Sequence, residues 1–272
     1  MIFTCPLCTN GANEAFTAKV LASQKAHYGY CQRCGLLFAN KPDWLENAYR
    51  HPIAQTDTGI LRRNIINTLR FTSILGLLFN RRASFLDYAG GCGLFTRMMR
   101  DIGFDFYWHD KFCENNLARG FEHHSDKKYS AVTVLEALEH IPDPLRFMKT
   151  ILDDTGCDSI IFSTTVFSGK PPPLDWQYYA FESGQHICFY QTKTLAYLAK
   201  SMNMNYIYGG DLHLITKISI SSFWFRLLSS RWGLPIFTIV LLLLKSRTQS
   251  DFLLLRDNPS TPNNQKKPTS ES

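Results

Sequence analysis

Phe85-Leu86-Asp87-Tyr88-Ala89-Gly90-Gly91-Cys92-Gly93 is the stretch on which the reading of this chain turns. A short apolar run ends in an acid, a glycine-dense turn follows, and Leu94–Asp101 continues with helical character. Glycine adopts unusual dihedrals and lets the backbone approach a ligand closely. A strand, a glycine turn and a helix in that order mark the place where doubly wound sheets bind cofactors, outside the carboxyl ends of their strands. The spacing is not G-x-G-x-x-G, because Gly90, Gly91 and Gly93 are followed by Leu94 and Phe95. The acid ahead of the glycines suits a cationic or amine-bearing ligand better than a pyrophosphate. Taken alone, the turn also reads as a plain tight connection.

Downstream the alternation continues. Phe104–His109 reads as an aromatic strand closed by a second acid, Asp110, placed where it can hydrogen-bond ribose hydroxyls. Phe112, two residues on, is an aromatic able to cover an adenine face. A short strand is expected near Gly120–Glu122, then a strand at Ala131–Leu135 and a helix from Pro142 to Leu152. A strand at Asp158–Ser163, a helix at Thr192–Met202 and a closing strand pair, Tyr206–Tyr208 and Leu212–Ser219, complete the pattern. Upstream, residues 41–79 read as helical. The clearest part is Ile60–Phe79, with apolar positions 61, 65, 69, 75 and 78 and Asp57 or Thr58 as N-cap. Strands alternating with helices predict an α/β fold with a mostly parallel sheet covered on both faces.

The first 40 residues hold Cys5-Pro6-Leu7-Cys8 and, after 22 intervening residues, Cys31-Gln32-Arg33-Cys34-Gly35. Each C-x2-C turn aims two thiolates at one point, and two such turns complete the tetrahedron that Zn²⁺ accepts. A closed four-thiolate site leaves no position for a substrate, so Cys5, Cys8, Cys31 and Cys34 are assigned a structural metal. The stretch between the pairs is too polar to have its own core. Cys92, Cys113, Cys157 and Cys188 lack such spacing. No signal segment opens the chain, and eight cysteines then point to a reducing, cytoplasmic setting.

The 272 residues are 45% hydrophobic and 19% charged, enough apolar material for a sizeable core. The formal charge of +6 is spread as pairs, Arg62-Arg63, Arg81-Arg82, Lys127-Lys128 and Lys266-Lys267, so no basic face is indicated and nucleic acid is not the expected partner. Trp232–Leu244 is almost wholly apolar but only 13 residues long, against the roughly 20 that a spanning helix needs. A buried or interface helix is expected there, with dimer or membrane-surface contact through residues 223–244 left open.

Asp87-x-Ala89-Gly90-Gly91-Cys92-Gly93 resembles the first motif, D/E-x-G-x-G-x-G, of class I S-adenosylmethionine-dependent methyltransferases, with Ala89 at the first glycine and an additional glycine at Gly91. Glu136-Ala137-Leu138-Glu139-His140-Ile141-Pro142-Asp143-Pro144 is similar to the E-x-x-E-H-x-x-D-P turn after the fourth strand in small-molecule methyltransferases. Gly184-Gln185-His186 looks like the G-Q-H segment of the same subgroup. The four-cysteine unit resembles that of bacterial sugar and polysaccharide-cluster methyltransferases, including deoxysugar C-methyltransferases. Those carry a further carboxy-terminal domain for which this chain is too short.

The resemblance implies a three-layer, doubly wound Rossmann-like methyltransferase sheet with a small N-terminal zinc-ribbon module, S-adenosylmethionine as cofactor and a structural Zn²⁺. It implies that Asp87, Ala89, Gly90, Gly91 and Gly93 hold the methionine end, that Asp110 binds ribose and that Phe112 flanks adenine. Glu136 would lie near the cofactor or acceptor. His186 is the first choice for a base, since an imidazole titrates near neutrality; a hydrogen-bonded structural role is the plainer alternative. His140 reads as a helix-capping residue. Tyr178 or Tyr179 would line a sugar site, though packing explains them equally. The expected reaction is methyl transfer to oxygen or activated carbon of a small-molecule or carbohydrate-type acceptor. The alternatives are RNA methylation with the zinc unit gripping nucleic acid around Arg33, Lys41, Arg62 and Arg63, and a non-catalytic binding protein of the same fold. Neither N-P-P-Y nor D-P-P-Y follows the fourth strand, and no Pro-Cys pair offers a nucleophile for pyrimidines.

The expected organisation is a zinc unit at 1–40, a helical lead-in at 41–80, the cofactor-binding core at 81–221, a hydrophobic C-terminal helix at 222–256 and a disordered tail at 257–272.

Overall fold

The computed structural model describes residues 1–50 and 57–258. Along the chain run β1 (Ile2–Thr4), β2 (Gly11–Val20), β3 (Gln24–Tyr30), β4 (Leu37–Ala39), α1 (Leu45–Ala48) and α2 (Ile60–Leu78). Next come β5 (Ser84–Tyr88), α3 (Leu94–Ile102), β6 (Asp105–His109), β7 (Ala131–Val134), α4 (Pro144–Thr155) and β8 (Ser159–Ser163). The series ends with β9 (Cys188–Phe189), α5 (Thr192–Lys200), β10 (Asn205–Tyr208), β11 (Leu212–Thr216), α6 (Ser222–Ser229), α7 (Leu234–Leu242) and α8 (Thr248–Asp257).

The larger sheet has the order β10-β11-β8-β7-β5-β6. Strands β6, β5, β7 and β8 run parallel, and β11 and β10 close the edge antiparallel. Successive residues of a strand point to opposite faces, and the two halves of the core divide accordingly. Phe85, Ala131 and Ile161 pack with Phe71, Ile74 and Leu75 of α2 and with Phe95 and Met99 of α3. Leu86, Val132 and Ile160 pack on the other face with Met148 and Ile151 of α4 and Leu195 and Leu198 of α5. The result is the expected three-layer α/β architecture. The chain leaves β5 for β6 on one side and β7 lies on the other, so the order reverses at β5. A crevice opens outside the carboxyl ends there.

The N-terminal residues form a second sheet, β1-β2-β3-β4-β9, and its last strand comes from far along the chain. Leu37 pairs with Phe189 and Phe38 with Cys188. The stretch between the cysteine pairs, read as too polar for a core of its own, shares the core of the larger sheet. Val20, Tyr28, Leu36 and Leu37 are fully buried and belong to the same apolar cluster as the α4–α5 face. The alternating polar residues of β2 hide that cluster in the sequence.

Two expectations are corrected. α2 is capped by Gly59 without a side-chain bond, because Asp57 turns to the Arg63 guanidinium at 2.6 Å. Residues 222–256 are three short helices, not one. Among the described residues no single helix is long and apolar enough to cross a membrane, and α6 meets the next helical segment at 88°. α7 lies on α2, with Val240 buried against Gly76, while Trp232, Ile239 and Leu242 are exposed. α8 is held by Asp251, which takes two hydrogen bonds from the buried Arg100 at 2.7 and 2.8 Å. Most of the tail expected at 257–272 lies outside the described residues.

Candidate active site

Three neighbouring parallel strands each deliver an acid to the crevice: Asp110 just past β6, Asp87 on β5 and Glu136 past β7. They line one cavity of about 800 Å³, within the range of small-molecule sites.

Asp87 is buried. Its carboxylate accepts the Thr133 hydroxyl at 3.0 Å and the Thr96 hydroxyl at 3.2 Å. Burial, with the charge of Asp110 adding, pushes this carboxyl up to about 7 despite those two bonds. The loop beyond it is shaped by close approach. A Cβ on Gly90 would stand 2.8 Å from Asp87 Oδ2 and from Trp108 Cδ1, and Gly93, at φ +85°, would meet Asn115 Oδ1 at 2.7 Å. Ala89 takes φ +62°. That left-handed conformation costs a non-glycine residue about 1–2 kcal/mol, which explains the glycine that the motif pattern has there.

Asp110 is tied to the loop it faces. Its Oδ2 accepts the Gly91 amide at 2.9 Å, and its Oδ1 accepts the Phe112 and Cys113 amides at 2.7 and 2.8 Å. The Trp108 indole donates to the Gly91 carbonyl at 2.9 Å. Phe112 is 61% exposed, and its ring stacks on Tyr49, with centroids 5.3 Å apart at 23°. Both rings line the cavity.

Glu136 sits at φ +50°. Its carboxylate accepts the Ser163 hydroxyl at 2.6 Å, with Arg63 Nε at 3.8 Å. Arg63, one of the cations whose gathering would mark an RNA-binding face, is thus turned between Asp57 and Glu136. His140 lies on the cavity wall. It does not cap α4, whose N-cap is Asp143, accepting from Arg146 N at 3.0 Å. Burial lowers the His140 imidazole to about 3. His186 stands against it, rings 4.8 Å apart at 82°, with its Nδ1 2.6 Å from the Tyr178 carbonyl. Burial lowers His186 as well.

Tyr179 is placed elsewhere. It is 1% exposed, packs among Phe16, Phe181 and Phe189, and donates its hydroxyl to the Pro172 carbonyl at 2.9 Å. Its position in the aromatic core corrects the expectation that it lines the site. Tyr178 too is turned inward, its hydroxyl 3.1 Å from that of Thr164. The site residues that the sequence reading passed over are Tyr49, Thr96 and Thr133. The hydroxyls of Thr96 and Thr133 sit one helix and one strand away from the acid they serve, and no local pattern marks them.

The four N-terminal cysteines are buried, unbridged and within 4.8 Å of one another. The Sγ atoms of Cys5 and Cys34 lie 3.5 Å apart, and those of Cys8 and Cys31 3.4 Å. Thiolates on a tetrahedral metal with bonds of about 2.3 Å stand about 3.8 Å apart, so this donor set fits one Zn²⁺.

A family model described as "Methyltransferase domain" matches residues 61–208, more than half of the chain. No curated protein matches. Among solved structures, the chain is similar to the pyocyanin biosynthetic protein PhzM, with 15% identity, a TM-score of 0.43, and coverage of 63% of this chain and 60% of that one. It is similar to magnesium protoporphyrin IX methyltransferase (ChlM) from Synechocystis PCC 6803 with bound SAH, at 14% identity and a TM-score of 0.41, over 64% and 91% of the two chains. A further similarity is to the plantazolicin methyltransferase BpumL with SAH, at 13% identity and a TM-score of 0.44, over 75% and 87%. The chain spans 60% of the length of PhzM and 65% of that of the mitomycin 7-O-methyltransferase MmcR.

Proposed function

The chain belongs to the methyltransferase-domain family, and on that premise we propose that it moves the methyl group of S-adenosylmethionine to oxygen or activated carbon of a small-molecule or carbohydrate-type acceptor. The observation that carries this reading is the convergence of Asp87, Asp110 and Glu136 on one cleft, which the loop residues Ala89, Gly90 and Gly91 also line.

When bound, the cofactor would supply a methyl group already made electrophilic by its sulfonium. The chain's own residues bind, orient and handle the proton. Asp87 and the Ala89–Gly93 loop take the ammonium-bearing end. A buried carboxyl poised near 7 ionises readily beside a cation. Asp110 keeps lone-pair capacity for a ribose hydroxyl, and Phe112 with Tyr49 offers a stacked aromatic edge for the base. Glu136 and His140 face the remaining space, where the acceptor would be held in line and deprotonated.

Cys5, Cys8, Cys31 and Cys34 are proposed to hold a structural Zn²⁺ that fixes the smaller sheet, in a reducing, cytoplasmic setting that keeps the thiolates free of disulfides. The exposed apolar side chains of α6 and α7 remain proposed for contact with a second copy or a membrane surface.

Calorimetry of the full chain with S-adenosylmethionine and with S-adenosylhomocysteine tests the reading. Saturable one-site binding is expected. An absence of binding at millimolar ligand would leave a non-catalytic protein of this fold.

A further inference from the structure

Behind the acceptor side of the cleft lies a group of side chains that neither cofactor binding nor packing accounts for. Glu139, His140 and His186 each bring a ligand atom within 4.8 Å of the other two. Glu139 is 0% exposed, and neither of its carboxylate oxygens has a hydrogen-bond partner. The hydroxyls of Tyr178 and Thr164 stand near enough to favour its ionised form, and one of them donates to the other at 3.1 Å. His140 Nδ1 is likewise buried and without a partner. Buried polar groups are almost always paired, and an ionisable one left alone is strongly disfavoured. Two adjacent residues with such atoms, in a group whose ligand atoms lie within 4.8 Å of one another, indicate a ligand that satisfies both.

His186 is prepared in the way that ligating histidines are. The Tyr178 carbonyl can only accept, so at 2.6 Å it fixes the proton on Nδ1 and leaves the Nε2 lone pair for a cation. The two segments are also locked together. Ile187 N donates to the Glu139 carbonyl at 2.8 Å, and the Tyr190 hydroxyl donates to the Leu138 carbonyl at 2.8 Å. The three groups are therefore held by rigid backbone, and His140 opens onto the cleft.

We propose that Glu139, His140 and His186 bind one divalent first-row transition cation, and that the acceptor completes its coordination through two neighbouring oxygens, such as vicinal hydroxyls. The site rests on its own geometry, whereas the acceptor class rests on the methyl-transfer reading above. Two imidazoles with one carboxylate suit Mn²⁺, Fe²⁺, Co²⁺ or Zn²⁺ better than Mg²⁺ or Ca²⁺, which favour oxygen alone. Three protein ligands leave positions open, as catalytic metal sites do. The cation lowers the pKa of a bound hydroxyl. That proton passes to Glu136, whose partly exposed carboxylate stands on the same wall and can release it to water. The oxygen's electron pair forms the bond to the methyl carbon, and the carbon–sulfur pair goes to sulfur. His186 then acts as a ligand and not as the base.

The test uses the full chain with zinc on its thiolates and Mn²⁺ as the probe, because Mn²⁺ competes poorly for a four-thiolate site. Electron paramagnetic resonance separates free from bound Mn²⁺. One bound ion per chain is expected, with a raised melting temperature in the wild type. Glu139→Gln and His186→Gln should each weaken Mn²⁺ binding at least about tenfold. Both should keep wild-type affinity for S-adenosylhomocysteine, which also certifies their folding. No bound ion in the wild type at millimolar Mn²⁺ would overturn the proposal, as would unchanged binding in Glu139→Gln. Mn²⁺ binding without binding of the nucleoside would instead uphold the cation site and reject the methyl-transfer reading.

Discussion

Asp110 Oδ2 accepts the amide of Gly91 at 2.9 Å, so the acid that closes β6 also holds the glycine loop that follows β5. An ionised carboxylate offers about four lone-pair sites, and three are engaged by the Gly91, Phe112 and Cys113 amides. One remains for a ribose hydroxyl. A single side chain therefore shapes the loop and grips the ligand that the loop surrounds.

Replacing it removes both effects. Asp110→Ala is expected to weaken S-adenosylmethionine binding at least about tenfold, since hydrogen bonds to a charged group contribute about 1.5–3 kcal/mol each. Titration calorimetry reads the change directly. Wild-type affinity in this variant would refute the ribose assignment.

Asp87 makes the stability of the ligand-free protein depend on pH. Its carboxyl titrates near 7 when folded, against about 3.9 in an unfolded chain. Between those values the folded state retains a proton that the unfolded state has lost. Stability therefore declines as pH rises from about 4 to about 7 and levels off above that. Asp87→Asn removes this contribution, so its stability relative to wild type should grow by a few kcal/mol across the window, at about 1.4 kcal/mol per pH unit. Urea unfolding at pH 5 and pH 8 measures it; parallel shifts in the two proteins would contradict the argument.

The C-terminal helix α8 is held through Asp251, which pairs with Arg100 and with Arg97. Arg100 is 1% exposed and binds Asp251 through Nε and a terminal nitrogen, with Asp105 and the Phe106 carbonyl sharing the guanidinium. Asp251→Ala leaves that buried cation short of charge and is expected to cost about 3–5 kcal/mol. Denaturation should show the loss, and proteolysis should release the chain beyond Leu244. The double variant Arg100→Met/Asp251→Leu should recover much of it, because neither charge is then stranded.

Metal removal should loosen the smaller sheet first. Metal analysis is expected to find one zinc per chain, and strong chelation should increase hydrogen exchange in β2, β3 and β4. Because β4 pairs with β9, and the Ala39 amide donates to the Ile187 carbonyl at 2.8 Å, exchange should also rise at residues 185–189. Unchanged exchange after zinc loss would show that packing alone supports this sheet.

The parts of the site that are legible along the chain are those written in adjacent residues. Asp87 through Gly93 states strand, acid, turn and helix in sequence, and the dihedrals at Ala89 and Gly93 show why small residues stand there. Cys5, Cys8, Cys31 and Cys34 declare their convergence by spacing, because a C-x2-C turn points both thiols one way. From α2 to β8 and from α5 to β11 the limits follow from periodicity to within a few residues, and the parallel sheet follows from their alternation; the strand expected near Gly120–Glu122 is a single bridge to Trp108, and β1–β4 and β9 carry no such signal.

The remainder depends on contacts between distant segments. Tyr178 and Tyr179 are neighbours of one type in sequence, yet packing gives one a carbonyl that orients His186 and sends the other into the aromatic core. Glu139 is one letter of a motif until folding strips its carboxyl of water. Asp110 acquires the Gly91 amide, Arg63 acquires Glu136, and Leu37 acquires Phe189 across 19, 73 and 152 positions of chain. Backbone preference and turn chemistry are local energies and leave a local record. Burial and side-chain pairing arise when remote surfaces close on one another, and no stretch of residues holds both sides of such a contact.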